Sequence, residues 1–147
     1  MKHIEQVYPK SPSPCNCMNI RRASLAVTQF YEDILRPCGL TVPQFGLLIQ
    51  VDTAQLATIS ELAKMMRIDR TTLNRNLKPL IDAGLITTNP GQDSRTRQIM
   101  LTQAGKDAIT KGWELWGEAQ TSIQEYLGDE DLAKLVQLLS KLEALVP

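Results

Sequence analysis

Thr71, Asn74, Arg75 and Lys78 fall within roughly 100° of arc when the chain around them is wound at 3.6 residues per turn. Leu73, Leu77 and Leu80 turn largely away from that arc. Such a helix packs on one face and presents hydrogen-bond donors on the other. Arginine and asparagine can address base edges bidentately, lysine and threonine can hold phosphates, and a helix of this size fits the major groove of DNA. The solvated face of an ordinary core helix carries similar residues, so the neighbouring elements decide between the two readings.

Those neighbours are legible from caps and periodicity. Thr58-Ile59-Ser60-Glu61 has the form of a capping box, and Ile59, Leu62, Ala63 and Met66 follow at i, i+3, i+4 and i+7. Arg67-Ile68-Asp69 reads as a turn with Asp69 as the next N-cap, and Gly84 suits the position just past the following helix. Two short helices joined by a tight turn make a helix-turn-helix. Pro79 removes one backbone bond inside the second helix, so a bend or early loosening is expected near its carboxyl end. The pattern then changes: residues 85–88 and 98–101 read as strands around Asn89-Pro90-Gly91-Gln92-Asp93-Ser94. A hairpin with a charged, flexible tip after a helix-turn-helix is a winged helix. Its tip, Asp93-Ser94-Arg95-Thr96-Arg97, places arginine where insertion into a narrow minor groove is feasible, with Asp93 as an orienting partner or turn cap.

Longer helices flank this core. Residues 1–16 hold Ser11-Pro12-Ser13-Pro14 and no apolar periodicity, and so are expected to form a flexible arm. Ile20, Ala23, Val27, Phe30, Tyr31 and Ile34 recur at helical spacing until Pro37, and Thr41 can cap a helix containing Phe45, Leu47, Leu48 and Val51. Thr102 can cap a long helix through Ile109, Trp113, Trp116 and Ile123, closed by Gly128. In the last helix, from near Asp129, the apolar residues Leu132, Leu135, Val136, Leu138, Leu139, Leu142, Leu145 and Val146 spread over about 180°, wider than the ~100° stripe one core needs. The surplus face suggests a partner subunit. The expected architecture is mainly α: a winged helix-turn-helix over 41–102 within a single domain of 17–147, with 17–40 and 103–147 as dimerisation helices.

Composition narrows the function. The 147 residues are 43% hydrophobic and 22% charged, enough for a sizeable core and unlike a small disulfide scaffold. Net charge is zero, yet residues 1–60 carry 5 basic and 4 acidic side chains, 61–106 carry 8 and 4, and 107–147 carry 3 and 8. A basic middle beside an acidic end is the distribution expected if the centre meets phosphate. His3 is the sole histidine and lies in the arm, so Ser-His-Asp and Cys-His catalysis lack a base, and no phosphate-binding glycine loop or zinc-type spacing occurs. The chain therefore does not read as an enzyme. The absence of a bilayer-length apolar run and of a secretory core points to the cytoplasm, with no membrane partner.

Gly39-Leu40-Thr41-Val42-Pro43-Gln44-Phe45, Ile59-Ser60-Glu61-Leu62-Ala63, Arg70-Thr71-Thr72-Leu73-Asn74-Arg75, Leu80, Gly84-Leu85-Ile86, Asp93-Ser94-Arg95, Leu101-Thr102 and Gly105 stand in an order and spacing that resembles the MarR family of bacterial winged-helix regulators. The resemblance implies a homodimer built by the first and last helices, recognition helices in successive major grooves of a pseudo-palindromic operator, and wing arginines in the flanking minor grooves. Position by position, it places Thr71, Thr72, Asn74 and Arg75 on the recognition helix and Arg95 on the wing; Arg70, Lys78 and Arg97 are further candidate DNA contacts. A repressor released by a signal is the expectation; the alternative is a winged-helix module used only for dimerisation or protein contacts.

No cofactor is required by this reading, but two kinds of signal have candidate residues. Phe30, Phe45, Leu48, Trp113 and Trp116 would line a pocket for a small aromatic effector where the family holds one, although aromatic residues at helical spacing also serve as plain core. Cys15-Asn16-Cys17 sets two thiols just before a helix, whose N-terminus favours the thiolate that meets oxidants, soft metals and metalloids. Cys38 completes the set of candidate thiols, though an intervening helix would hold it on the order of 28 Å away at 1.5 Å per residue. Three unremarkable cytoplasmic thiols are the competing reading.

Overall fold

The computed structural model describes residues 2–93 and 95–147. Along them run α1 (Asn16–Leu35), a 3-10 turn (Arg36–Cys38), α2 (Val42–Ala54), α3 (Ile59–Met66), α4 (Arg70–Asp82), β1 (Ile86–Pro90), β2 (Arg97–Leu101), α5 (Gln103–Leu127) and α6 (Asp129–Glu143). The fold is that of a winged helix: mostly helical, with one two-stranded antiparallel hairpin.

Side-chain caps set the helix starts. Thr41 and Gln44 form a reciprocal box at α2, with Pro43 in the first turn where its missing N–H costs nothing. Thr58 and Glu61 do the same at α3, over 3.2 and 2.8 Å. At the other end of α4, Gly84 adopts φ +75°, so that its N–H reaches the Ile81 carbonyl and the Leu85 N–H reaches that of Leu80, a Schellman closure that only glycine enters without strain. Pro79 does not end the helix, which continues through it to Asp82.

The hairpin is longer at its tip than the expected 85–88 and 98–101, pairing Ile86 with Leu101 at one end and Pro90 with Arg97 at the other. Proline fits there because Gly91 donates to the Thr96 carbonyl at 2.8 Å. Hydrogen-bonded pairs alternate along an antiparallel ladder, so the adjacent Pro90–Arg97 pair calls for no N–H. The Ile99 N–H donates to the Ala57 carbonyl, and Thr58 bridges to Gln98, which ties the base of the wing to the start of α3.

The chain divides into two compact units. The winged unit is Leu35–Glu114, reaching beyond the expected 41–102 at both ends and taking in the first half of α5. Leu48, Leu62, Leu73, Leu77, Leu80, Ile86 and Ile99 are all at most 2% exposed and form its centre. Each such burial contributes roughly 1.5–3 kcal/mol.

The second unit joins the residues up to Ile34 with Leu115–Pro147. Within it the arm touches α5: Lys2 Nζ donates to one oxygen of Glu118 at 2.9 Å, and His3 Nε2 meets the other at 2.7 Å. The hydrogen bond from Lys2, then that from His3, holds the Glu118 carboxyl below the usual carboxylate range. Ser13 and Asn19 exchange two further bonds where the arm enters α1. Leu135, Val136, Leu138, Leu139 and Leu142 of α6 are each more than 40% exposed in the single chain, as are Met18, Ile20, Leu25 and Val27 of α1. Among the described residues no single helix is long and apolar enough to cross a membrane.

Candidate nucleic-acid interface

The turn between α3 and α4 is built by Arg67 in the left-handed region, φ 55°. Its N–H bonds the Lys64 carbonyl, and the Ile68 N–H that of Ala63. Asp69 then opens α4: one carboxylate oxygen accepts from the Thr72 N–H and the other from the Thr72 hydroxyl, both at 2.8 Å. These bonds, the backbone N–H first, hold the Asp69 carboxyl below its ordinary value. Thr72, half-buried, donates its hydroxyl proton to this cap and so helps fix the helix start.

Beyond the cap, α4 separates its faces as the periodicity requires. Leu73, Leu77 and Leu80 are at most 1% exposed, whereas Arg70, Thr71, Asn74, Arg75 and Lys78 are all exposed. Lys78 is not idle: its Nζ donates to Asp82 one turn on at 3.0 Å. An exposed i,i+4 pair of this kind contributes about 0.3–0.5 kcal/mol, so a phosphate can displace Asp82 at small cost. Asp82 was not singled out from sequence, although its spacing from Lys78 is the signal.

On the wing, Asp93 acts as a turn cap. Its carboxylate accepts from the Arg95 N–H at 3.1 Å, and its carbonyl accepts from the N–H and hydroxyl of Thr96, both at 2.9 Å. Of the two roles open to it, the structure places it on backbone. Arg95 and Arg97 are exposed, and Ser94 lies outside the described residues. Between the wing and the helix-turn-helix lies an open cavity of about 260 Å³, lined by Thr58, Ile59, Ser60, Arg70, Arg95, Thr96 and Arg97. The sequence pattern points to its arginines but not to its α3 wall, because nothing local brings residues 58–60 to the wing.

The candidate sensing residues fall in both units. Phe45 and Trp113 meet edge to face at 5.4 Å in the winged unit, where Leu48 is fully buried. Phe30 and Trp116 belong to the other unit, Phe30 standing edge-on to Tyr31 at 6.0 Å. Cys15 and Cys17 are exposed; α1 starts at Asn16, so Cys17 is inside its first turn and not ahead of it as expected. Cys38, half-buried in the winged unit, donates its thiol proton to the Leu35 carbonyl. No three His, Cys, Asp or Glu side chains gather as a metal-binding group among the described residues.

A capped helix-turn-helix with an exposed donor face, followed by an arginine-bearing hairpin, defines a winged helix of the kind that meets DNA. Comparisons agree with this class. Residues 39–95 match the MarR family model. An HTH-type transcriptional regulator of Bacillus cereus is 30% identical over 114 residues, spanning 77% of this chain and 76% of that protein. The M. tuberculosis transcriptional regulator MosR, solved in complex with DNA, is 36% identical with a TM-score of 0.67, over 87% of this chain and 98% of that one. A mutant MarR from E. coli complexed with operator DNA is 26% identical with a TM-score of 0.74, over 84% and 89%. This chain belongs to the MarR family: it is a DNA-binding transcriptional regulator and not an enzyme.

Proposed function

We propose that the protein is a cytoplasmic, homodimeric repressor of a pseudo-palindromic operator whose half-sites lie about one helical turn apart. The observation that carries this reading is the exposed face of α4, with Thr71, Asn74 and Arg75 presented on a helix anchored by three buried leucines. Asn74 and Arg75 read base edges in the major groove, Arg70, Thr71 and Lys78 meet the backbone, and Arg95 enters the minor groove. The exposed leucines and valine of α6 supply the self-association surface, since monomers rarely leave so many large apolar side chains of one helix in water.

Release from DNA is triggered by attack of an oxidant or a soft metal on Cys15 and Cys17, a reading supported by the exposure of both thiols with one residue between them. A small aromatic ligand is the second candidate signal, supported by the Phe45–Trp113 pair.

A footprint on the DNA upstream of the protein's own gene, run under reducing conditions and again with a thiol oxidant or a soft metal, tests the proposal. Protection of an inverted repeat, lost on thiol attack in the wild type but retained in a Cys15→Ser, Cys17→Ser variant, is the expected result. Arg75→Ala weakens operator binding by roughly 1–3 kcal/mol if Arg75 pairs with guanine. Absence of any salt-sensitive DNA binding, with the dimer intact, would leave the winged helix as a protein-contact module.

A further inference from the structure

We propose that the cavity between the wing and the amino end of α3 is a seat for one phosphate group of the DNA backbone. In this seat Arg70 and Arg97 hold the anion against the N–H and hydroxyl of Ser60 in the first turn of α3. The inference deepens the DNA-binding reading and rests on it.

Three arginines reach this cavity from two segments distant in sequence, and its lining contains no carboxylate. The acidic residues nearby in sequence are all engaged on backbone N–H groups: Glu61 on Thr58, Asp69 on Thr72 and Asp93 on Arg95. Among the described residues Arg70, Arg95 and Arg97 make no ion pair, in contrast to Lys78. A concavity lined by like charges without a counter-ion is a repulsive arrangement that an anion relieves.

The other walls suit a phosphate in particular. The first four N–H groups of a helix lack intrahelical partners. The reciprocal box uses those of Thr58 and Glu61, and the bridge between Thr58 and Gln98 turns the Ile59 N–H to the Arg97 carbonyl, which leaves the N–H and hydroxyl of Ser60 at the cavity's edge. Arg70 is the first residue of α4, so the positive ends of two helices stand at the same cavity. Guanidinium and main-chain N–H groups only donate, and hydroxyls can donate. A base edge presents donors as well as acceptors, whereas a phosphate presents acceptors alone. A free oxyanion has the same chemistry, but an open, exposed site holds it weakly in water. A backbone phosphate is delivered at high effective concentration by the contacts of α4 on the same strand.

The seat would give Arg97 and Arg95 different tasks: Arg97 on the backbone and Arg95 free for the groove. Its test uses the full-length protein on its operator, with single phosphates replaced in turn by neutral methylphosphonate. One position in each half-site is expected to weaken wild-type binding about tenfold, in the range of a charge-assisted contact. In Arg97→Ala and in Arg70→Gln, that same replacement is expected to cost less than about twofold, and the salt slope to fall by about one for each phosphate no longer neutralised. Ser60→Ala should show a smaller coupling to the same position and to no other.

Strong binding with every phosphate equally sensitive in wild type and variants would overturn the seat while leaving DNA binding intact. No binding to any DNA at low salt would overturn the underlying reading instead. Inorganic phosphate that displaces DNA beyond chloride of equal ionic strength, in an Arg97-dependent way, would make this a free-anion site and overturn the assignment to backbone.

Discussion

Thr102 joins the end of the recognition helix to the start of α5 through a single hydroxyl. Its Oγ1 accepts from the Gly105 N–H at 3.1 Å, capping α5, and donates to the Gly84 carbonyl at 2.6 Å. The Thr102 N–H separately donates to the Leu85 carbonyl at 3.1 Å, a bond that side-chain replacement leaves in place. Thr102→Ala therefore removes two bonds. Loss of an N-cap costs about 0.5–2 kcal/mol. Loss of the second bond costs about 0.5–1.5 kcal/mol in principle, but Gly84 is exposed and water re-pairs its carbonyl, so the low end applies. The expected destabilisation is about 1.5 kcal/mol, or a Tm lower by roughly 3–6 °C for a chain of this size. Thr102→Ser keeps the hydroxyl and should fall within about 0.5 kcal/mol of wild type. Urea unfolding of the three proteins at one matched concentration, required because self-association contributes to apparent stability, reads the difference. An alanine variant as stable as wild type, or a serine variant as weak as alanine, refutes the argument that this hydroxyl fixes the joint.

Gly112 is buried with Phe45 over it: an added Cβ would stand 2.4 Å from one ring carbon and 2.7 Å from another. Gly112→Ala should cost about 1–2 kcal/mol, the overpacking outweighing a helix-propensity gain of up to ~1 kcal/mol, and Phe45→Leu in the same protein should restore part of it. The Asp69 carboxyl titrates below its ordinary value in the folded protein, so its contribution is full above the unfolded carboxylate range and is lost as pH falls through the lowered value. Unfolding curves from pH 2.5 to 6 should show the gap between wild type and Asp69→Asn closing as the medium becomes acid; a gap independent of pH would contradict the cap's charge dependence. Pro79→Ala gives the Arg75 carbonyl an N–H it lacks in mid-helix, and thermal unfolding should show about 1–2 kcal/mol of added stability.

What could be read from sequence was what local chemistry decides. The boxes at Thr58–Glu61 and the cap at Asp69 satisfy N–H groups three residues away, so their sequence pattern is also their geometry. The α4 faces followed from 3.6-residue periodicity alone. The strand ends did not, because Pro90 looks like a strand terminator until the alternation of the ladder is known. Gly105 belonged to a family pattern with no physical reason attached; the reason is that a Cβ there would meet the Leu85 carbonyl oxygen at 2.2 Å, a contact set by the return of the chain after the hairpin. The arm's attachment to Glu118 joins residues 115 and 116 positions apart, and no local pattern announces it.

The zero net charge of the chain looks at odds with a polyanionic partner, and the placement of its acids resolves the conflict. Of the four acidic residues within 61–106, Glu61 and Asp69 sit at the amino ends of α3 and α4, where they offset helix-end charge of about half a unit each as well as bonding to N–H groups. Asp93 caps the wing turn and Asp82 holds Lys78. Each carboxylate thus has a structural partner within a few residues, so none is directed at the arginines. Arg70, Arg75, Arg95 and Arg97 are left exposed without ion pairs among the described residues, and the field they project is screened by solvent rather than by a neighbouring carboxylate. A count of charges over the chain averages this away; the distribution over caps and free side chains is what gives a neutral protein a basic face.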